Sequence, residues 1–281
     1  MGMIDTHVHF WNFDPVKDSW ITEEMKVIQK DFTPKDLIKT YNELQITGCV
    51  AVQANQAESE NDFLLALADQ NEIIKGIVGW VDLKSENLEE RLKYWSAFKK
   101  IKGWRHVLQA ENSDFILSTD FAEGIKALKK YDYTYDLLCY HNQLPDILKL
   151  VDKVPNQLYV LDHCGKPDVK SQDLKTWSKN IELLAQNSNV CCKLSALLVE
   201  ADWKNWKEIE IFNCFDVIFE HFGTNRVMYG SDWPVVLLSR PYADWFNLVA
   251  KYALKFSIQE KENLFLNTAS SFYKLKKRDL L

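Results

Sequence analysis

The 281-residue chain has no apolar stretch of about 18 residues, so a membrane-spanning helix is not expected. It has no basic run apart from Lys274, Lys276, Lys277 and Arg278, a short cluster that reads as a solvated tail. With a formal net charge of -6 it offers no basic surface to attract nucleic acid, and nothing suited to a membrane surface. No charged-then-apolar leader pattern opens the chain, so a cytoplasmic location is expected. The cysteines form no C-x-x-C pair, and Cys49, Cys139, Cys191 and Cys192 lie in apolar runs; buried reduced thiols are expected in place of disulfides or a thiolate metal site. There is no low-complexity segment, no Gly/Ser- or Pro-rich linker and no sharp shift in composition. Residues 1–281 therefore read as one domain.

What is present is a repeating pattern. Short apolar runs occupy 3–10, 49–55, 73–83, 103–109, 133–141, 158–163, 190–195 and 227–232. They are nearly continuous in hydrophobicity, as strands of a parallel sheet covered on both faces are. Between them lie segments with helical spacing. Thr33-Pro34-Lys35-Asp36 is a helix start, followed by an apolar face of Leu37, Ile38, Tyr41 and Leu44. Ser257 to Glu260 is a capping box that opens a last helix toward Tyr273. Eight strand–helix units without a linker predict an α/β fold, a single (β/α)8 TIM barrel. An open doubly wound sheet would need a G-x-G-x-x-G turn after its first strand, and the chain there reads His-Phe-Trp-Asn.

Barrel active sites lie at the C-terminal ends of the strands. Those ends carry His7 and His9, Gln53 and Asn55, then Arg105, His106 and Gln109. Further along come His141, Asp162 and His163, Lys193 and Ser195, and finally Ser231 and Asp232. Of the 6 histidines only His221 falls elsewhere, on a predicted helix. His7 and His9, two apart on a strand, face the same side. With His163 and Asp232 they form a set that suits Zn2+ or a similar divalent ion. The same set can instead polarise a carbonyl by hydrogen bonds while Asp232 takes a proton from water, so catalysis without a metal stays open. Asp232, His163 and Arg105 are the candidate catalytic residues. Trp11, Gln53, Asn55, Trp104, His106, Gln109, His141 and Trp233 are candidate substrate-binding residues, because flat apolar faces beside polar groups suit a polyhydroxylated ring. Segment 12–31 has weak periodicity and is either a loop over the barrel mouth or ordinary packing.

The stretches DTHVHFW, GWRHVLQ, YHNQLPDI, VLDHCGKP, CCKLSAL, YGSDWPV and NTASSFY resemble the sugar-lactonase branch of the amidohydrolase superfamily along nearly the whole chain. That branch includes enzymes similar to L-fuconolactonase and L-rhamnonolactonase, and 2-pyrone-4,6-dicarboxylate lactonase. The resemblance implies a barrel and the opening of a lactone by water. It matches His7 and His9 to the strand-1 pair, His163 to the strand-6 histidine, Asp232 to the strand-8 base and Arg105 to an arginine near the substrate. His141 falls on a position whose identity varies among branches. Strand 4 has no bridging lysine, so a binuclear centre is not expected. An aldonolactone is favoured over a pyrone dicarboxylate, which would need more cationic partners than one arginine. The rival readings are a metal-dependent decarboxylase of the same superfamily and a non-catalytic binding barrel. A small-molecule partner is expected; the sequence leaves the oligomeric state open.

Overall fold

The computed structural model describes residues 2–275. Eight strands run β1 (Met3–Val8), β2 (Ile46–Val52), β3 (Ile74–Gly79), β4 (Ile101–Val107), β5 (Thr134–Leu138), β6 (Tyr159–Leu161), β7 (Val190–Leu194) and β8 (Val227–Tyr229). They pair in sequence order and all in parallel. A helix follows each strand, from Pro34–Leu44 after β1 to Tyr242–Tyr252 after β8. The fold is the (β/α)8 barrel that the alternating pattern predicts. Among the described residues, no helix is long and apolar enough to cross a membrane. All six cysteines are free, in agreement with the expected reduced thiols. Of the basic tail cluster, Lys276, Lys277 and Arg278 lie outside the described residues.

The first helix begins as its sequence requires. Thr33 is extended, Pro34 follows, and the Asp36 carboxylate accepts from both the N–H and the hydroxyl of Thr33, at 2.8 and 2.9 Å. Ser257 and Glu260 cap one another reciprocally, Ser257 N–H donating to the Glu260 carboxylate at 2.8 Å and Glu260 N–H donating to Ser257 Oγ at 3.3 Å. The helix they open is interrupted at Asn263–Asn267 by a π-helical turn, then resumes as Thr268–Phe272. This last element serves a different purpose from the others. Phe272, Tyr273 and Leu275 join Ile4, Val50, Val52, Val78, Val160 and Met228 in one buried cluster that fills the barrel interior. The N-terminal end of the barrel is therefore plugged, and the opposite end holds the polar residues.

The barrel closes between β1 and the chain just beyond β8. His9 N–H donates to Trp233 O at 2.7 Å, and Asp232 N–H donates to His7 O at 2.8 Å. Buried Asp5 pins the same seam. Its carboxylate accepts from the N–H groups of His7 (3.1 Å) and Ser231 (2.8 Å), and from the hydroxyls of Tyr242 (2.8 Å) and Tyr41 (3.3 Å). Without Asp5 those four donors lose a buried acceptor, and each such loss costs about 1–3 kcal/mol. The Asp5→Ala variant is expected to lose about 3 kcal/mol or more of stability, read as a lower urea midpoint at unchanged slope. A midpoint equal to wild type would show that Asp5 does not hold the seam.

Candidate active site

β1 is not a regular strand where the chemistry begins. Asp5 pairs with Cys49 and Val8 with Ala51, so three steps on β1 match two on β2. The extra residue is a bulge, which re-aims the side chains that follow it. Ile4 faces the interior cluster, and after the bulge His7 and His9 face inward too, although a regular alternation from Ile4 would turn them out. Gly230 leaves them room: a Cβ there would lie 3.0 Å from His7 Cβ and 3.3 Å from Ser195 Cβ.

His163 and Asp232 sit beyond their strands, not within them as the apolar runs suggest. β6 ends at Leu161 and β8 at Tyr229. The chain then turns through left-handed backbone at His163 (φ 55), Cys164 (φ 56) and Asp232 (φ 59). For non-glycine residues this conformation costs about 1–3 kcal/mol each, and it persists only where surrounding structure enforces it. The result is convergence. Asp232 Oδ1 lies 3.3 Å from His9 Nε2, 3.7 Å from His7 Nε2 and 4.0 Å from His163 Nε2, with His7 Nε2 and His9 Nε2 3.2 Å apart.

The other ring nitrogens decide the tautomers. His9 Nδ1 lies 2.8 Å from Val52 O, a pure acceptor, so it carries the proton and Nε2 presents a lone pair. His163 Nδ1 bonds to Ser195 Oγ at 2.9 Å, leaving its Nε2 toward Asp232. His7 Nδ1 faces Lys193 Nζ at 3.2 Å and Asp162 Oδ1 at 3.4 Å. Two imidazole nitrogens cannot rest 3.2 Å apart, both with lone pairs inward, without a proton or a cation between them. Tetrahedral Zn2+ with bonds of about 2.0–2.1 Å sets neighbouring ligand atoms about 3.3–3.4 Å apart. His7, His9 and Asp232 fit that spacing and leave a position open, as catalytic zinc sites do. A second convergent set is His7, Asp162 and His163. His163 thus borders the compact set through Asp232.

Beneath the imidazoles lies a buried charge layer that the sequence showed only in pieces. Lys193 Nζ pairs with Asp136 Oδ2 at 2.5 Å and Asp162 Oδ1 at 3.1 Å, and Arg105 Nη1 pairs with Asp162 Oδ2 at 3.2 Å. The Tyr273 hydroxyl, from the plugging helix end, donates to Asp136 Oδ2 at 2.9 Å. Two cations and two carboxylates cancel. With neutral imidazoles, Asp232 then gives the site a net charge of about −1. The signal for Asp136 was a lone carboxylate inside the apolar run Tyr133 to Tyr140. Asp162 and Lys193 stand at strand ends, but their pairing becomes visible only when the barrel closes.

A cavity of about 320 Å3 opens above this layer, lined by His9, Arg105, Gln109, Asn55, His163 and Asp232 together with Lys17, Trp20, Ala54, Gln56, Val107, Leu138, Lys166 and Val235. Five candidate binding residues have other tasks. Trp104 is turned outward by strand alternation and packs against Trp95 and Tyr133. His106, on the same outer face, bonds to Trp80 Nε1 and Glu111 and stacks on Phe115. Trp11 and Trp233 are buried against Phe32. Gln53 is buried beside Arg105, accepting from Nη2 at 2.6 Å and donating to Arg105 O at 3.2 Å. His141 holds Lys166 O at 2.9 Å and so supports the cavity wall without forming it. Lys17 and Trp20 were not anticipated; both come from segment 12–31, part of which does cover the barrel mouth.

Burial disfavours charge on these rings. It holds His163 down to about 3 and His7 well below the ordinary histidine range. Burial pushes Asp232 up, but His163, His9 and His7 outweigh it and hold the carboxyl well below its usual range. Burial pushes Asp136 up to about 6 against the pull of Lys193. These shifts fix a sign for stability. His7 and His163 titrate near 6.5 when unfolded, so below that pH the unfolded chain binds more protons and the folded state loses ground. Asp136 acts oppositely between about 6 and 4, and Asp5, also raised by burial, adds to it, but the two histidines lose ground over the whole span from about 6.5 down. Metal-free protein is therefore expected to have a lower urea midpoint at pH 5 than at pH 7. An equal or higher midpoint at pH 5 would contradict neutral buried imidazoles.

Three buried imidazoles and an ionised carboxylate at the floor of a cavity, in the C-terminal mouth of a closed parallel barrel, are the site plan of a hydrolytic barrel. The chain belongs to the amidohydrolase family, whose model matches residues 4–275. It is 36% identical to the L-fucono-1,5-lactonase of Burkholderia multivorans, over 97% of this chain and 96% of that protein. It is 24% identical to the L-rhamnono-gamma-lactonase of Scheffersomyces stipitis, over 58% of this chain and 56% of that one. A crystal structure of an amidohydrolase from Burkholderia multivorans with bound zinc superposes with a TM-score of 0.95 at 36% identity, covering 98% of this chain and 100% of that one.

Proposed function

We propose that this protein opens the ring of a sugar lactone, an aldonolactone, by attack of water. The observation that carries the reading is Asp232 Oδ1 standing 3.3 to 4.0 Å from three imidazole nitrogens at the floor of a cavity wide enough for one sugar ring. The likeness to the fuconolactonase supports it over both a decarboxylase and a binding barrel.

The charge on the cavity wall favours a neutral ring. Lys17 and Lys166 join Arg105 there, which the sequence did not foretell. Each cation already has a carboxylate: Lys17 with Glu60 at 3.2 Å, Lys166 with Glu200 at 3.3 Å, and Arg105 with Asp162 at 3.2 Å. A dicarboxylate would have to break these pairs or sit among compensated charges. A polyhydroxylated lactone needs only donors and acceptors.

His7, His9 and Asp232 would hold one divalent ion, zinc or similar, with His163 beside it. When bound, such an ion acidifies water and polarises a carbonyl oxygen. That chemistry suits Asp232. A carboxylate held well below its usual pKa stays ionised at neutral pH, but it is a weak base and takes a proton only from acidified water. Having two oxygens, the Asp232 carboxylate would keep one acceptor for the proton of water if the other held an ion. The water oxygen bonds to the lactone carbonyl carbon as Asp232 accepts the proton. The ring C–O bond then breaks, and Asp232 returns that proton to the departing ring oxygen. Arg105, held by Gln53 and Asp162, places a fixed positive charge where the carbonyl oxygen gains negative charge.

The Asp232→Asn variant is expected to lose about 10²–10⁴-fold in kcat on L-fucono-1,5-lactone while its circular dichroism stays that of wild type. Near-normal turnover by that variant would refute the role of Asp232 as base. Dialysis against a chelator is expected to remove both activity and stoichiometric metal, with zinc restoring both. Full activity in protein shown by elemental analysis to be metal-free would remove the ion from the reading.

A further inference from the structure

The cavity has one tryptophan on its wall, and it is not one of the indoles that the strand ends suggest. Trp11, Trp104 and Trp233 are buried, whereas Trp20 is 41% exposed and lines the opening. Single exposed aromatics are ordinary on a protein surface. Trp20 differs in how firmly it is held. Its ring stands edge-on to Trp11 at 5.7 Å and 89°. Trp11 is in turn fixed by a bond from its Nε1 to Lys30 O at 2.9 Å and by backbone bonds with Phe32 at 3.0 and 2.9 Å. On the other side Lys17, three residues before Trp20, pairs with Glu60, whose side chain is almost wholly buried. The indole is thus held by Trp11 on a segment that Lys17 anchors nearby, and it remains exposed at the opening.

A bare, fixed indole beside polar groups is a surface for a ring with one C–H face and hydroxyls at its rim. The polar partners are at hand. Asn55 and Gln109 line the same cavity. We propose that Trp20 is the platform on which the substrate ring rests: its C–H face lies on the indole, its rim hydroxyls meet the polar side chains of Asn55 and Gln109, and the carbonyl points to Asp232. This inference rests on the sugar-lactone reading and adds a specificity-determining residue to it. A planar or unsubstituted lactone without rim hydroxyls would keep the stack and lose the polar contacts with Asn55 and Gln109.

The test separates the two claims. Steady-state kinetics on L-fucono-1,5-lactone are measured for wild type, Trp20→Ala and Trp20→Phe. Calorimetric binding of L-fuconate, the ring-opened product, is measured for the same three side chains at position 20 in the Asp232→Asn background. Loss of the stacked face is expected to raise KM about 10-fold and weaken binding to a similar degree, with kcat changed less than about 2-fold. Trp20→Phe, which keeps an aromatic face, is expected to recover most of both. If wild type turns over the lactone and Trp20→Ala leaves KM and binding unchanged, or lowers kcat alone, the platform is wrong and the lactonase reading stands. If wild type neither hydrolyses nor binds any sugar lactone, both fall together.

Discussion

The site exists because the barrel closes at one particular seam. β1 and the chain after β8 are joined by two backbone bonds, and the residues that make them are His7, His9, Asp232 and Trp233. The bonds that complete the fold therefore also fix the spacing of the imidazole pair from the carboxylate. Asp5 takes donors from both sides of this seam, so one buried side chain sets the register of both halves. A slip of one residue in a strand turns every side chain to the other face. Here such a slip would separate Asp232 from the rings and open the barrel in the same event.

A second constraint works below the seam. Arg105, Asp136 and Lys193 from three strands and Asp162 from the turn after β6 meet in the interior, where a lone charge would be costly. Their charges cancel, which is what makes their burial tolerable. Cancellation also has a chemical consequence: the layer carries no net charge of its own to the cavity, so the polarity of the site is that of Asp232 and its rings. Tyr273 extends the layer to the plug at the far end of the barrel. The packing that closes the bottom thus steadies the polar floor of the top.

Much of this architecture was legible in the residues, and the exceptions share a cause. Eight apolar runs alternating with helical spacing gave the barrel, because parallel strands covered on both faces leave that record. Histidines at strand ends gave the floor of the site. Trp104 and His106 misled because a strand end names a place but not a direction; alternation sends Arg105 inward and its two neighbours out. The bulge in β1 was invisible for the same reason, since apolar content does not report an extra residue in a register. Gln53 and His141 stand at the right ends but spend their hydrogen bonds on Arg105 and Lys166. Trp20 and Lys17 lie in a segment with no period to read, and tertiary contacts alone carry them to the opening.

The strained turns tie these threads together. His163 and Asp232 both occupy left-handed backbone that non-glycine residues avoid, and they lie two and three residues past the ends of β6 and β8. The cost is offset by what encloses each turn: Ser195 and the bond from Trp177 Nε1 to Cys164 O at one, the seam bonds and Asp5 at the other. A flexible loop could also deliver a carboxylate to three imidazoles, but it would lose configurational freedom on each approach of substrate. Held in place beforehand, the carboxylate meets water and lactone without that loss, which is the form that preorganised catalysis takes. The buried ionic layer, the pinned seam and the two strained turns are then three parts of one device that keeps His7 Nε2, His9 Nε2 and Asp232 Oδ1 3.2 to 3.7 Å apart, close to the spacing a divalent ion requires, with His163 beside them.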